Sequence, residues 1–207
     1  MVRDARLAGH GTDIVLTAKG EKGLAVLRMQ RKQLPARPLD RWTAVGPFDK
    51  GGSTHDEASY KKTFPPEEKL DFAAKYKGVG GKEIAWKAVD GKGRRVLDMQ
   101  DVTPYNLADE NGVTYLVTYV KAKARCATLF GYTNDYFGTI WLNGKPLVPV
   151  MNGPLRSYAW KEIWLDPGWN EIKVKTACGS ARTWYFGAAI ADDGTLEFSA
   201  TRPGSRF

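Results

Sequence analysis

The sequence contains few of the residues on which metal and disulfide chemistry depends. Only two cysteines, Cys126 and Cys178, and two histidines, His10 and His55, occur among its 207 residues. The cysteines form no C-x-x-C pair and neither histidine lies near them, which argues against a zinc site. The two cysteines could form one disulfide in an exported protein or remain two buried thiols in a reducing compartment.

Long apolar runs and catalytic motifs are also missing. No stretch approaches the roughly 18 apolar residues that a membrane helix needs, and the first residues lack the apolar segment of a signal peptide. Either the protein stays in the cytoplasm or an export signal lies outside this sequence. There is no G-x-S-x-G nucleophile motif and no phosphate-binding loop. We therefore predict that the protein is not an enzyme.

Carboxylate pairs are the remaining catalytic option, because glycosidases use two acids at a fixed separation. The acidic residues that could form such a pair are Glu67, Glu68, Asp71, Asp109, Glu110, Asp192 and Asp193. All of them fall in turns or polar segments, where acids are common, so they give little support to catalysis.

The charge and the aromatic content describe the surface and the core. The formal net charge is +8, which favours polyanionic partners. The lysines and arginines are spread along the chain without a block of five or six like charges, as expected for a solvated basic surface. We therefore do not expect nucleic acid as a partner. Aromatic residues make up 12% of the chain, including 7 Trp and 9 Tyr, which fits a β-sandwich core, a sugar-stacking surface or both.

Short strands separated by turns run through the sequence. Gly138–Lys145 contains Asn143-Gly144, a dipeptide that favours a two-residue hairpin turn. Asp166-Pro167-Gly168 predicts a second turn, and polar and apolar residues alternate in the following strand. Val113–Ala124 is apolar on both faces, which predicts a central strand covered on both sides. Such short strands with frequent turns indicate a β-sandwich or barrel.

Four segments, in this order, resemble the galactose-binding-like jelly-roll modules. They are WTAVGPF at Trp42–Phe48, Asn134-Asp135 followed by IWLNGK, PGWNEIKVK, and WYFGAAI. Such modules accompany bacterial glycoside hydrolases and large secreted multidomain proteins. The resemblance covers residues 41–191 and implies an all-β fold of two antiparallel sheets, a jelly roll.

The resemblance also implies a function and a location. It implies a non-catalytic carbohydrate-binding-like module of an exported multidomain protein, with a glycan or polysaccharide as its partner. The location would then be extracellular or periplasmic. The alternative is a structural or assembly module that contacts neighbouring domains or a second copy of itself.

The chain is predicted to contain a β-sandwich domain over residues 41–200. Residues 1–40 are predicted to be an N-terminal extension or edge hairpin, with a remnant of a preceding domain as the alternative. In it, Asp13–Thr17 and Leu24–Met29 flank a turn that contains glycine. Helix is expected only over one or two turns near Pro66–Tyr76, where prolines and acids precede a short segment.

The core is predicted from apolar alternation in the strands. Its predicted members are Trp42, Val45, Phe48, Trp86, Leu116, Val120, Leu129, Ile140, Leu142, Ile172, Val174, Phe186 and Ile190, and Trp164 and Trp184 are also expected there. Cys126 and Cys178 lie in phase with apolar residues of their strands, so both are expected to be buried.

The turn that contains Tyr132, Asn134, Asp135 and Tyr136 is the best candidate for a ligand site. It combines two aromatic faces with an amide and a carboxylate, and sugars need both ring faces and planar polar groups. Trp160 is predicted as an additional stacking platform. In the alternative interpretation, Asn134 and Asp135 cap the turn through side-chain-to-backbone bonds.

No cofactor is expected, apart from a structural calcium ion of the kind that the resembling modules often hold. Its oxygen ligands could come from Asp49, Asp56 or Asp192 with Asp193, but the sequence contains no D-x-D-x-D-G loop.

Overall fold

The structure is a computed structural model, and its secondary structure is described for most of the chain. The described residues are 2–10, 13–20, 23–30, 35–52, 56–102, 112–152, 158–178 and 184–202. The chain divides into two compact units, residues 1–35 and residues 36–207.

The first unit is a three-stranded antiparallel sheet. Its strands are β1 (Val2–His10), β2 (Asp13–Gly20) and β3 (Gly23–Gln30). The hairpin expected from the sequence is formed by β2 and β3, in which Leu16 pairs with Leu27. The sequence did not predict β1, which pairs with the other side of β2.

Within its described residues, the second unit contains the remaining strands, three single-turn α-helices and a 3-10 turn at Val79–Gly81. Its strands are β4 (Ala36–Pro38), β5 (Arg41–Asp49), β6 (Lys75–Lys77), β7 (Glu83–Ala85), β8 (Lys87–Asp90), β9 (Leu97–Asp98), β10 (Gly112–Ala122), β11 (Cys126–Asn134), β12 (Phe137–Leu142), β13 (Lys145–Asn152), β14 (Ala159–Leu165), β15 (Gly168–Ala177), β16 (Tyr185–Ala191) and β17 (Glu197–Ser199). Its helices are α1 (Glu57–Tyr60), α2 (Pro65–Glu68) and α3 (Met99–Val102).

Only α2 lies in the segment where the sequence predicted helix. Asp56 caps the N-terminus of α1, and its carboxylate accepts a hydrogen bond of 3.0 Å from the Ala58 N–H. This capping contact stabilises a helical turn outside the segment in which the sequence predicts helix. Within the described part of the chain, no helix is long and apolar enough to cross a membrane.

The strands form two main antiparallel sheets. The larger sheet has the order β13-β12-β15-β10-β5-β8, with β17 also paired to β10, and the smaller sheet has the order β14-β11-β16-β4, with β9 paired to β16. From β10 to β16 the chain repeatedly crosses between the two sheets. A core cluster with residues of both sheets lies between them, including Leu116 and Ile140 of the larger sheet and Phe130 and Ile163 of the smaller. The predicted all-β antiparallel sandwich is confirmed.

Most of the predicted core is buried. The buried members are Trp42, Val45, Phe48, Leu116, Val120, Ile140, Ile172, Val174, Phe186, Ile190 and Trp184. Leu129 is only partly buried because Thr128 and Phe130 take the inward positions of β11, which turns Leu129 to the outer face. Trp86 lies between β7 and β8 and is partly buried, with its ring 5.0 Å from Phe72. Leu142 is also partly buried, at the end of β12.

The central position of β10 explains why both of its faces are apolar. Leu116 and Val120 point into the core between the sheets. Tyr115 points to the opposite side, where a second apolar cluster with Phe48, Tyr60 and Phe64 covers part of the larger sheet. The sequence prediction that this strand is covered on both sides is confirmed.

The two-residue turn predicted at Asn143-Gly144 joins β12 to β13. Both residues have positive φ, 51° for Asn143 and 75° for Gly144. Glycine adopts this conformation without a steric penalty and asparagine tolerates it, which is why this dipeptide favours the turn.

The two cysteines do not form a disulfide. Cys178 is buried, as predicted, but Cys126 is only partly buried, so the prediction for it is wrong. Cys126 shares the inward face of β11 with Thr128 and Phe130, but it is the first residue of the strand, where the core ends.

We expect a thiol reagent to modify Cys126 of the native protein much faster than Cys178. The reason is access, since Cys178 has no exposed surface and Cys126 is partly exposed. Peptide mass spectrometry after timed labelling measures both rates, and labelling in denaturant provides the control in which both thiols react. Equal native rates would contradict the placement of the two residues.

Candidate functional site

Two tryptophans project from the outer face of the smaller sheet. Ile163 and Leu165 of β14 are buried, so the alternate positions Trp160 and Trp164 point outward, with 44% and 49% of their surface exposed. The sequence prediction that Trp164 belongs to the core is therefore wrong. The aliphatic residues of β14 take the inward positions.

The Trp160 indole lies flat against the sheet. Trp160 pairs with Gly131 of the neighbouring strand β11. A Cβ atom added to Gly131 would lie 2.8, 2.8 and 2.9 Å from three consecutive atoms of the indole's six-membered ring. Such nearly equal distances mean that the glycine backbone faces the plane of the ring. One face of the indole therefore packs on the sheet, and the exposed surface belongs largely to the other face.

Tyr158 extends this aromatic surface at one end. Its ring centroid is 5.7 Å from that of Trp160, with the planes tilted by 36°. The Tyr158 hydroxyl donates a hydrogen bond to the Arg95 carbonyl, which fixes the orientation of the ring. An anchored ring loses little conformational freedom when a ligand stacks on it.

Trp164 carries a charged group beside its ring. The Arg125 guanidinium carbon is 4.3 Å from the Trp164 ring centroid, and Arg125 Nε is 4.0 Å from a carboxylate oxygen of Asp166. Trp160 and Trp164 are four residues apart on one strand, which corresponds to roughly 13 Å. We call the outer surface formed by Gly131, Tyr158, Trp160, Trp164 and Arg125 the tryptophan face.

The turn that was predicted as a ligand site joins β11 to β12. Asn134 and Asp135 are both buried, and the Asn134 Nδ2 donates a hydrogen bond of 2.9 Å to the Tyr136 carbonyl. The Asp135 N–H donates to the Tyr185 carbonyl at 2.9 Å. Tyr136 has a φ of 57°, and its ring stands edge-on to Phe137 at 4.6 Å. The contact of Asn134 is the one expected of a turn cap.

The five residues predicted as one site do not share one surface. Tyr132 lies on the inner face of β11, where its ring is 6.2 Å from Phe130 and packs against the core. Gly131 and its pairing partner Trp160 lie on the outer face of the same sheet. Trp160 therefore cannot serve as an additional platform beside Tyr132. A binding role for Tyr132, Asn134, Asp135 and Tyr136 stays a prediction.

The candidate calcium ligands take part in hydrogen bonds of their own loops. Asp49 accepts a hydrogen bond from the Gly51 N–H at 2.8 Å, and Asp56 caps α1. One oxygen of Asp192 accepts from the N–H groups of three residues, at positions 194 to 196. No group of three or more His, Cys, Asp or Glu side chains that could hold a metal ion occurs among the described residues.

Two of the candidate carboxylates for catalysis also have partners of their own. Glu67 forms an ion pair of 2.8 Å with Lys175, and Asp71 accepts a hydrogen bond from the Ala73 N–H at 3.1 Å. Asp109 and Glu110, like His55, lie outside the described residues.

Comparisons with known proteins found no matching family model and no matching curated protein. Solved structures with partial similarity include a β-glucosidase from Kluyveromyces marxianus, with 12% identity over 51% of this chain and 14% of that chain and a TM-score of 0.40. A family 35 carbohydrate binding module from an environmental isolate matches with 14% identity over 42% of this chain and 72% of that chain, at a TM-score of 0.33. A GH31 α-xylosidase from Xanthomonas citri matches with 10% identity over 94% and 32% of the two chains, at a TM-score of 0.35.

Proposed function

We propose that this chain is a non-catalytic carbohydrate-binding module that holds an extended glycan across the tryptophan face. The observation that carries the proposal is the flat, exposed indole of Trp160, with a second exposed indole on the same face of one strand. The C–H faces of pyranose rings stack on such indoles, and an anchored ring is ready to bind without rearrangement.

The geometry favours a chain of sugars as the ligand. The Cα atoms that carry the two indoles are roughly 13 Å apart, a separation that a single pyranose ring does not span. Glu162 lies on the same face between them, and Arg125 lies over Trp164. These planar charged groups can exchange hydrogen bonds with the sugar hydroxyls between the two stacking positions.

The same features weigh against the alternative of a protein-docking module. The central part of a protein interface is depleted in charged residues. On the tryptophan face, Glu162 lies between the two aromatic positions and Arg125 covers part of one of them. As a partner we therefore propose a glycan or polysaccharide, encountered outside the cell or in the periplasm as part of an exported multidomain protein.

The Trp160→Ala variant should bind its best oligosaccharide about tenfold more weakly or worse, since a lost stacking contact of about 1.4 kcal/mol changes Kd tenfold. Titration calorimetry with cello-, xylo-, manno- and galacto-hexaose, on the full chain, measures the effect. Trp169→Ala is the matched control, because Trp169 is a partly exposed tryptophan on the larger sheet and its replacement should leave the affinity unchanged.

Gly131→Ala provides a second test that leaves the indole in place. The new methyl carbon would fall 2.8 Å from the Trp160 ring, so the indole must lift off the sheet. Affinity should fall while circular dichroism stays that of the parent chain. If none of the four hexaoses binds the parent chain, or if both variants bind as the parent does, the proposal is wrong. A stable oligomer in light scattering that protects Trp160 from oxidation would favour the assembly alternative.

A further inference from the structure

A second groove lies on the outer face of the larger sheet. Ile140 of β12 belongs to the core between the sheets, so its neighbour Trp141 points to the opposite, outer side. Trp141 pairs there with Lys173 of β15. With Gly144, Glu171 and residues 67–70 these two side chains line a groove of about 370 Å³, which we call the Trp141 groove. Its size falls in the range of small-molecule sites.

The ammonium group of the groove is held in place from three sides. Lys173 is only 7% exposed, and its Nζ donates hydrogen bonds to the carbonyls of Pro66 at 3.1 Å and Glu67 at 3.4 Å. The same Nζ lies 5.0 Å from the Trp141 ring centroid. An ammonium has three donors, so one donor remains beyond these two carbonyls. Burial lowers the pKa of the Lys173 ammonium, and its position costs little further ordering when a ligand binds.

The carboxylate of the groove is fixed through its backbone. The Glu171 N–H donates to Asn143 Oδ1 at 2.8 Å, and the Glu171 carbonyl accepts from the Asn143 N–H at 2.9 Å. One carboxylate oxygen accepts a long hydrogen bond of 3.5 Å from the Tyr119 hydroxyl. Burial raises the pKa of the Glu171 carboxyl, against the opposite influence of Lys173 and the Tyr119 hydroxyl. An acceptor, a donor and an indole therefore meet in one groove, on rigid strands.

We propose that the Trp141 groove is a second carbohydrate site, which takes one neutral pyranose unit. The indole of Trp141 provides the stacking surface, Glu171 accepts hydrogen bonds from two hydroxyls, and the remaining donor of Lys173 binds an oxygen. Glu68 and Glu171 on the acidic side are matched by Lys69 and Lys173 on the basic side, and Glu67 is paired with Lys175. The charges that line the groove therefore balance, so a neutral sugar matches it better than an ion. The groove does not depend on the tryptophan face.

The two carbohydrate sites lie on opposite sides of the sandwich. The tryptophan face is the outer side of the smaller sheet, the Trp141 groove is on the outer side of the larger sheet, and the core separates them. One short ligand cannot occupy both. A module with two such sites binds two chains, or two segments of one polysaccharide, and gains avidity without tighter contacts at either site.

The test is a nuclear magnetic resonance titration of the full chain with galactose, glucose, mannose, xylose and N-acetylglucosamine. The concentration of each sugar is raised to about ten times a Kd in the millimolar range. The readout is the set of indole N–H cross-peaks, with the Trp141 peak assigned by its loss in Trp141→Phe. At least one sugar should move the Trp141 peak, and should move it equally in the Trp160→Ala variant. Glu171→Gln, which keeps the side-chain shape, should weaken this binding at least threefold.

The outcomes separate this site from the tryptophan face. If no sugar moves the Trp141 peak, or if the movement disappears in Trp160→Ala, the second site does not exist. If Glu171→Gln binds as the parent chain does, the assigned role of the carboxylate is wrong. Hexaose binding that fails in Trp160→Ala and persists in Trp141→Phe tests only the tryptophan face, so either site can be lost without the other.

Discussion

Replacing Glu67 with alanine should lower the free energy of unfolding by about 3–5 kcal/mol, the usual cost of leaving one charge of a buried ion pair without its partner. Lys175 Nζ lies 2.8 Å from Glu67 Oε1, and the two side chains are 3% and 20% exposed. The same Nζ donates to the Lys62 carbonyl at 2.8 Å. Glu67 also accepts a hydrogen bond of 2.5 Å from the Tyr115 hydroxyl, which the substitution would remove.

Among the described residues, Glu67 is the carboxylate that pairs with Lys175, and aromatic rings surround the rest of the ammonium group. Its Nζ lies 4.8, 5.5 and 5.9 Å from the ring centroids of Tyr60, Phe64 and Tyr115. These rings attract a cation but do not replace a carboxylate. Burial lowers the pKa of the Lys175 ammonium, and Glu67 counteracts this shift. Without Glu67 the pKa of Lys175 in the folded state should fall further.

The pH dependence distinguishes the lost ion pair from a general packing defect. Between the lowered pKa of Lys175 in the folded chain and the unfolded lysine pKa of about 10.4, the unfolded chain binds more protons than the folded chain, so stability rises with pH. In Glu67→Ala the folded pKa is lower still, so this pH range begins at a lower pH. The stability difference between the variant and the parent chain should therefore narrow as the pH rises from 7 towards about 10. A difference that is constant with pH would contradict the assignment.

The control is an ion pair of the same length on the surface. Lys75 and Glu83 are 2.8 Å apart but 66% and 65% exposed. Glu83→Ala should cost far less than Glu67→Ala, because water screens an exposed pair. The double substitution Glu67→Leu with Lys175→Met should recover much of the loss, because apolar groups of similar volume often replace a buried pair without penalty. Urea unfolding of the four proteins measures all of these values, and equal losses for Glu67→Ala and Glu83→Ala would show that the pair is not effectively buried.

The burial of Lys175 also shows where prediction from the sequence ends. Alternation in β15 correctly predicts that Ile172 and Val174 share the core face, because this pattern is local. The same alternation gives Lys173 and Lys175 the other face, yet both are buried. The segment that covers them contains α1 and α2, more than 100 positions earlier in the chain. No local pattern specifies such a distant contact.

At the candidate sites, too, local features were predictable from the sequence and contacts between distant segments were not. The Asn143-Gly144 hairpin was predictable, since two adjacent positions with positive φ require particular residues. Alternation also places Trp160 and Trp164 on one face of β14. Their outward orientation was not predictable, because Ile163 and Leu165 make the other face equally apolar, and the two sets compete for the core. The Trp141 groove joins three separate segments, so the signal in the sequence was limited to a tryptophan beside a hairpin.

Asn170→Ala should also destabilise the protein by about 3–5 kcal/mol, because it leaves several buried main-chain groups without hydrogen-bond partners at about 1–3 kcal/mol each. The side chain of Asn170 is fully buried. Its Nδ2 donates to the carbonyls of Asp166 at 2.8 Å, Gly168 at 3.1 Å and Val120 at 3.3 Å. Its Oδ1 accepts from the Asp166 N–H and from Asn143 Nδ2, both at 2.9 Å.

These contacts explain the asparagine in the PGWNEIKVK segment. One amide closes the Asp166-Pro167-Gly168 turn, bonds the central strand β10 through Val120, and holds Asn143 in the neighbouring hairpin. The side-chain oxygen of Asn143 in turn accepts a hydrogen bond from the Glu171 N–H. Asn170 therefore supports the end of the sheet on which the Trp141 groove is built, and its loss should weaken sugar binding there through loss of order.

The Asn170→Asp variant tests the donor role of Nδ2 directly. The side chain keeps its shape and the acceptor Oδ1, but its second oxygen faces three carbonyls that need a donor. The carboxylate should be disfavoured in the folded state, so its folded pKa should lie above the unfolded value of about 3.9. Its protonated form restores one donor, so stability should increase as the pH falls through the folded pKa.

Asn143→Gly, which keeps the turn but loses the amide, is the smaller matched change and should cost about 1 kcal/mol per lost hydrogen bond. If Asn170→Ala costs no more than Asn143→Gly, or if Asn170→Asp gains no stability on acidification relative to Asn170→Ala, the Asn170 amide does not hold these turns together.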